Sequence, residues 1–123
     1  MRRQPVSPQT TVTLSGAGAG QCSLTPPSGT RWDLQLAAVS TVSPSGTTVL
    51  LPQCWLYLGN SSGPLTLIDS TNAGNSASSG KVSGAPFYAG TCIWAVWTGA
   101  DPGAVATLQL YGTQTSGYRA AAR

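Results

Sequence analysis

The chain has 123 residues, and 7% of them are charged: six Lys and Arg, three Asp, no Glu and no His. An average soluble domain carries roughly 25% charged residues, so side chains able to move protons at neutral pH are nearly missing. The cations cluster at Arg2 and Arg3 and at Arg119 and Arg123, with Arg31 and Lys81 between, which is not the distributed basic stripe of a nucleic-acid-binding domain.

The body between the termini is near neutral. Such a surface is poor at repelling copies of itself, which favours a life packed in an assembly, with a low-charge secreted monomer as the alternative. At this length one domain is expected. Residues 1–9 carry two prolines and no periodicity and are expected to form an extended arm. No apolar stretch follows the basic start, so no signal peptide is expected. No run approaches the ~20 apolar residues of a membrane helix.

Thr10 to Leu14 alternates as a short strand, Ser15 to Gly20 (SGAGAG) reads as a flexible link, and Gln21 to Leu24 resumes a strand. Arg31 to Val42 is a clear strand, with Trp32, Leu34, Leu36 and Ala38 expected on one face. After the turn Ser43-Pro44-Ser45-Gly46, Thr47 to Leu51 is expected to start the next strand. Pro52 interrupts it, and Gln53 to Leu58 continues it. Leu65 to Thr71 is a further strand. Asn72 to Gly84 reads as a long loop or a weak strand ending near Val82, and Phe87-Tyr88 as a short strand or loop anchor. Cys92 to Gly112 reads as a β-hairpin, closed at Asp101-Pro102-Gly103 by the residue chemistry of a type II turn. Both faces of Cys92 to Thr98 are apolar, which suits a strand covered on two sides.

Short strands, frequent turns and no helical period predict an all-β fold, an antiparallel β-sandwich of jelly-roll or immunoglobulin-like arrangement with the strand order open. The expected domain spans residues 10–113, between the arm at 1–9 and a tail at 114–123. Trp94 and Trp97 fall on opposite faces of their strand, so one of them points out of the core, where Trp serves as a subunit contact or a platform for a sugar ring. The expected contact surface comprises Arg2, Arg3 and Pro5 on the arm, Trp97, and Tyr118, Arg119 and Arg123 on the tail.

Catalytic, metal and cofactor sites are not expected. Asp33 and Asp69 lie on strands and Asp101 in a turn, and nothing in the sequence brings two carboxylates together for hydrolysis. A Ser or Cys nucleophile would lack its base. Cys22, Cys54 and Cys92 form no CxxC pair. At least two are expected in the core, and one disulfide with a leftover thiol is the alternative if the protein matures outside the cell.

The stretch Ala95-Val96-Trp97-Thr98-Gly99-Ala100-Asp101-Pro102-Gly103-Ala104-Val105-Ala106-Thr107-Leu108, with Leu67-Ile68-Asp69-Ser70-Thr71 upstream, resembles small structural proteins encoded among the virion genes of tailed bacteriophages of actinobacteria. The resemblance covers Arg31 to Thr113 and includes no catalytic signature. It implies a non-enzymatic β-sandwich, a capsid decoration or minor capsid protein, made in the host cytoplasm and residing in the virion. Its implied partners are the major capsid protein or other virion subunits and further copies of itself, with no nucleic acid and no membrane. The alternative is a tail or tail-tip component that binds host-surface carbohydrate.

Overall fold

The computed structural model describes residues 2–47, 49–71 and 77–117. They form ten strands and no helix: β1 (Arg2–Val6), β2 (Gln9–Thr13), β3 (Gly20–Leu24), β4 (Thr30–Val42), β5 (Gln53–Asn60), β6 (Gly63–Thr71), β7 (Ala77–Ser79), β8 (Pro86–Tyr88), β9 (Cys92–Thr98) and β10 (Val105–Ser116). Sheet A has the order β1-β10-β4-β7, with β2 beside β10 in line with β1, and β8 beside β4 in line with β7. Sheet B has the order β3-β9-β5-β6. All pairings are antiparallel.

The topology is that of one long hairpin rolled up. Its tip is the turn between β5 and β6. From there the first half of the chain pairs with the second in reverse order: β5 with β6, β4 with β7 and β8, β3 with β9, and β2 and β1 with β10. Rolling then brings β10 against β4 and β9 against β5, which closes two four-position sheets. This is the jelly-roll order, so the two arrangements open in the sequence reduce to one.

The hairpin expected over Cys92 to Gly112 is not one. β9 lies in sheet B and β10 in sheet A, and the segment between them crosses from one sheet to the other. The turn chemistry itself holds. Gly103 has φ +72°, and the Ala104 N–H donates to the Asp101 carbonyl at 3.1 Å, as a type II turn requires. The turn closes an arch between sheets because both strands already have ladder partners on each side.

Along β10, Ala106, Leu108 and Leu110 point into the core as their alternation predicts. β4 departs from its expected alternation. Trp32 and Leu34 are buried, but so are Ala37, Val39 and Thr41, and Leu36 and Ala38 are only half-buried. A β-bulge shifts the register here: Leu36 pairs with Tyr111 while Leu34 pairs with Gly112, so Gln35 is the extra residue. Gly112 makes the bulge possible, since a Cβ there would sit 2.3 Å from the Asp33 carbonyl oxygen.

The core sits between the sheets. Trp32, Leu34, Val39, Leu108 and Leu110 from sheet A face Cys54, Leu56, Ile93, Ala95 and Trp97 from sheet B. The SGAGAG segment is a docked turn. The Ser15 hydroxyl accepts from the N–H groups of Ala17 and Ala19, and the Ala100 and Gly103 N–H groups donate to the Gly18 and Ser15 carbonyls. Residues 2–9 do not reach away as an arm either. β1 runs along the second half of β10, from Arg2 opposite Ser116 to Val6 opposite Gly112, and supplies the ladder that this half would otherwise leave open to water. β10 likewise continues past residue 113 to Ser116.

Candidate functional site

Of the residues expected at a contact surface, Trp97 belongs to the core: its exposure is 0%. Its strand carries Ile93, Ala95 and Trp97 inward, which turns Trp94 and Val96 outward. The outward tryptophan of the pair is therefore Trp94. Arg3 and Pro5 are exposed on β1, and the backbone of Arg2 is paired there too. Tyr118, Arg119 and Arg123 lie outside the described residues. The structure thus brings Arg2, Arg3 and Pro5 onto one edge strand and separates them from Trp97.

The outer face of sheet B concentrates what the sequence left scattered. Ladder pairing sets Trp94 beside Tyr57 and Val96 beside Trp55, with Leu67 of β6 opposite Tyr57. Residues paired across a ladder share a face, about 4.5–5.5 Å apart at Cβ. Three aromatic rings and two aliphatic side chains therefore lie together on the water side of one sheet. The four on β5 and β9 are half-buried, and Leu67 is 51% exposed. Trp94 is held in place: its indole N–H donates to the Asn60 carbonyl at 2.9 Å, and its ring lies over Gly59, where a Cβ would come within 2.9 Å of Cδ1. Gln21 and Ser23 of β3, paired with Val96 and Trp94, border the patch. None of these seven residues carries a charge.

A second apolar surface lies at the end of the sandwich where the segments 14–19, 43–47, 49–52 and 99–104 meet. Thr47 and residues 49–51 form no strand. Instead the Asp101 carboxylate accepts from the N–H groups of Val49 and Leu50, both at 2.9 Å, and pins the loop against the crossing turn. The side chains then point out. Val49 is 76% and Leu51 80% exposed, with Val42 and Val105 exposed on neighbouring strand ends. Asp101 is itself buried, so its charge is spent on holding this loop.

The other two carboxylates are also engaged. The Asp33 Oδ2 accepts from the Arg31 Nε at 3.1 Å. The Asp69 Oδ2 accepts from the Ser79 hydroxyl at 2.6 Å, and its Oδ1 lies 3.6 Å from the Lys81 ammonium. That cluster joins the edge of sheet B to the edge of sheet A. Among the described residues no group of three His, Cys, Asp or Glu side chains could hold a metal ion. Cys22, Cys54 and Cys92 are buried and free. Burial pushes the Cys22 thiol up to about 11 and the Cys54 thiol up to about 12, so neither supplies a thiolate nucleophile near neutrality.

Comparison with known proteins returns no family model, no curated protein and no solved structure that matches this chain. The fold class rests on the strand order alone, and a jelly roll serves many functions. The alternation of Cys92 to Thr98 indicated one outward tryptophan, but the residue expected at the contact surface, Trp97, is the inward one. The apolar loop was not legible, because it depends on a contact between Asp101 and residues some fifty positions earlier.

Proposed function

We propose that this chain is a non-enzymatic structural protein of a bacteriophage virion, a capsid decoration or minor capsid protein that seats the outer face of sheet B on a neighbouring subunit. The observation that carries this reading is the uncharged patch of Trp55, Tyr57, Trp94, Val96 and Leu67 brought together on the outward face of sheet B. Interface centres are depleted in charge and enriched in Trp and Tyr. The Trp94 ring is already fixed by Asn60 and Gly59, so little side-chain freedom is lost on docking. The apolar loop at residues 49–51 offers a second foothold, frozen in advance by Asp101. Arg3 on the edge strand suits an acidic surface nearby.

Quantitative mass spectrometry of purified particles tests the reading. The chain is expected at a fixed copy number per particle. The double variant Trp55→Ser/Trp94→Ser is expected to lower occupancy at least about tenfold while keeping its β-sheet circular dichroism spectrum. Absence from particles, or occupancy indifferent to these substitutions in a folded chain, overturns it.

A further inference from the structure

The outer face of sheet A has a different chemistry from that of sheet B, and it carries a groove of about 340 Å³ between β10 and the β4–β7 edge. The groove exists because short side chains, Ala38, Ser40 and Ser78, lie beside the longer Gln109 and Tyr111. The register sets Ser40 opposite Thr107, Ala38 opposite Gln109, and Ser78 opposite Ala38. Three hydroxyls and one carboxamide therefore converge over one floor, and the Tyr111 ring, 39% exposed, stands at one end.

We propose that this groove binds a neutral carbohydrate, with the Tyr111 ring as the platform for a pyranose and Ser40, Ser78, Thr107 and Gln109 as hydrogen-bond partners for its hydroxyls. Each of these four side chains can both donate and accept, as a sugar hydroxyl does. No lining residue carries a charge at neutral pH, so a phosphate, a nucleic acid or an acidic peptide would find no counter-charge here. A lipid chain or an apolar side chain would leave four polar groups facing it without partners, which costs free energy for each. A pyranose satisfies both demands, since its C–H face stacks on an aromatic ring while its rim bonds to amides and hydroxyls. One row beyond Tyr111 on the same face, Asp33 and Thr113 are paired, with Asp33 holding Arg31 at 3.1 Å, and this pair would meet a second sugar ring. Most of the lining comes from the two central strands of the sheet, β4 and β10, so the site is already formed. The volume lies at the lower end of the range for ligand sites, which points to one or two sugar rings and to weak binding. The site is separate from the patch assigned to assembly, and the proposal does not rest on the virion reading.

The test is a titration of the 15N-labelled full chain with cellobiose, maltose, lactose and N,N′-diacetylchitobiose, followed by heteronuclear NMR. At least one sugar is expected to shift the amides of residues 38–40 and 107–111, with a Kd on the order of 1–10 mM. Tyr111→Ala and Gln109→Ala are each expected to weaken that binding at least about tenfold, with the spectrum otherwise as dispersed as that of the parent chain. No shift from any of the four at about 50 mM, far above that Kd, overturns the proposal. So does a shift confined to Trp94 and its neighbours, or a folded Tyr111→Ala chain that binds as the parent does.

Discussion

On the water side of sheet A, the side chains run in rows across the strands: Thr13, Val105 and Val42; then Thr11, Thr107 and Ser40; then Gln9, Gln109, Ala38 and Ser78. On the water side of sheet B the rows are Gln21, Val96 and Trp55, then Ser23, Trp94, Tyr57 and Leu67. Both faces are uncharged over these rows. The first carries mostly hydroxyls and amides, with Val105 and Val42 apolar at one end, and the second is apolar and aromatic at its centre. With so few ionisable side chains, the molecule distinguishes its two sides by hydrogen-bonding capacity, which governs what each face can hold without loss. An aromatic sheet face loses water favourably against another protein. A hydroxyl face does so only against a partner that returns its hydrogen bonds.

The largest expected effect tests which tryptophan belongs to which side of β9. Trp97→Ala is expected to destabilise the fold by about 3–5 kcal/mol, as for large-to-small changes in a packed core. Trp94→Ala, on the outer face, is expected to cost about 1–2 kcal/mol, mostly from one hydrogen bond and part of a ring contact. Urea unfolding monitored by circular dichroism measures both, and equal costs would erase the distinction between the inside and the outside of sheet B. Next is Asp101→Ala, which leaves two backbone N–H groups without their charged acceptor. A loss of about 2 kcal/mol is expected, with faster amide exchange at Val49 and Leu50. Unchanged exchange there would show that the apolar loop is held by something else.

A third test uses the thiols that only sheet B places in the core. In the fold, burial raises Cys22 to about 11 and Cys54 to about 12, from an ordinary value of 9.0. Below pH 9 both states hold these protons and the stability is intact. Between pH 9 and 11 the unfolded chain releases protons that the fold retains, so stability falls as pH rises. The slope is up to about 1.4 kcal/mol per pH unit for each thiol. Urea midpoints measured from pH 8 to 11 should show this decline, and Cys22→Ala/Cys54→Ala should flatten it. The smallest effect is expected on sheet A. Thr107→Val should change stability by less than about 0.5 kcal/mol, as surface substitutions do. A large change would mean that its hydroxyl is part of the fold's own bonding.

Much of the fold was legible wherever burial follows strict alternation. β9 set Trp94 and Trp97 on opposite faces as its alternation predicts, and the type II turn formed at Asp101-Pro102-Gly103. Three features escaped because each depends on a distant part of the chain. Leu36 and Ala38 left the face of Trp32 because a bulge at Gln35, opposite the Tyr111–Gly112 step, shifts the register between them. Residues 47–51 looked like a strand by composition, but the Asp101 carboxylate takes two of their N–H groups. Two consecutive strands with a tight turn look like a hairpin locally, and only the whole strand order shows that β9 and β10 belong to different sheets. For the candidate sites, sequence alternation indicated an outward tryptophan, but only the ladder register brings Trp55, Tyr57 and Trp94 together. The groove on sheet A gave no sequence signal, since its hydroxyl residues come from three separate strands.

The rolled-hairpin topology also sets an order of assembly. Pairing at Asn60 and Gly63 closes a loop of a few residues, whereas pairing Arg2 with Ser116 joins nearly the two extremes of the chain. Loop closure costs more entropy as the loop lengthens, so zippering outward from the β5–β6 tip lets each rung shorten the loop that the next must close. The β1–β10 seam would then be the last to form and the first to open. Refolding should be slow for a chain of this size, as expected where distant pairings dominate. Joining Arg2 to Gly117 by a short linker and cutting at Ser61-Ser62 would invert the sequence in which the sheets zip, with the finished sheets left the same.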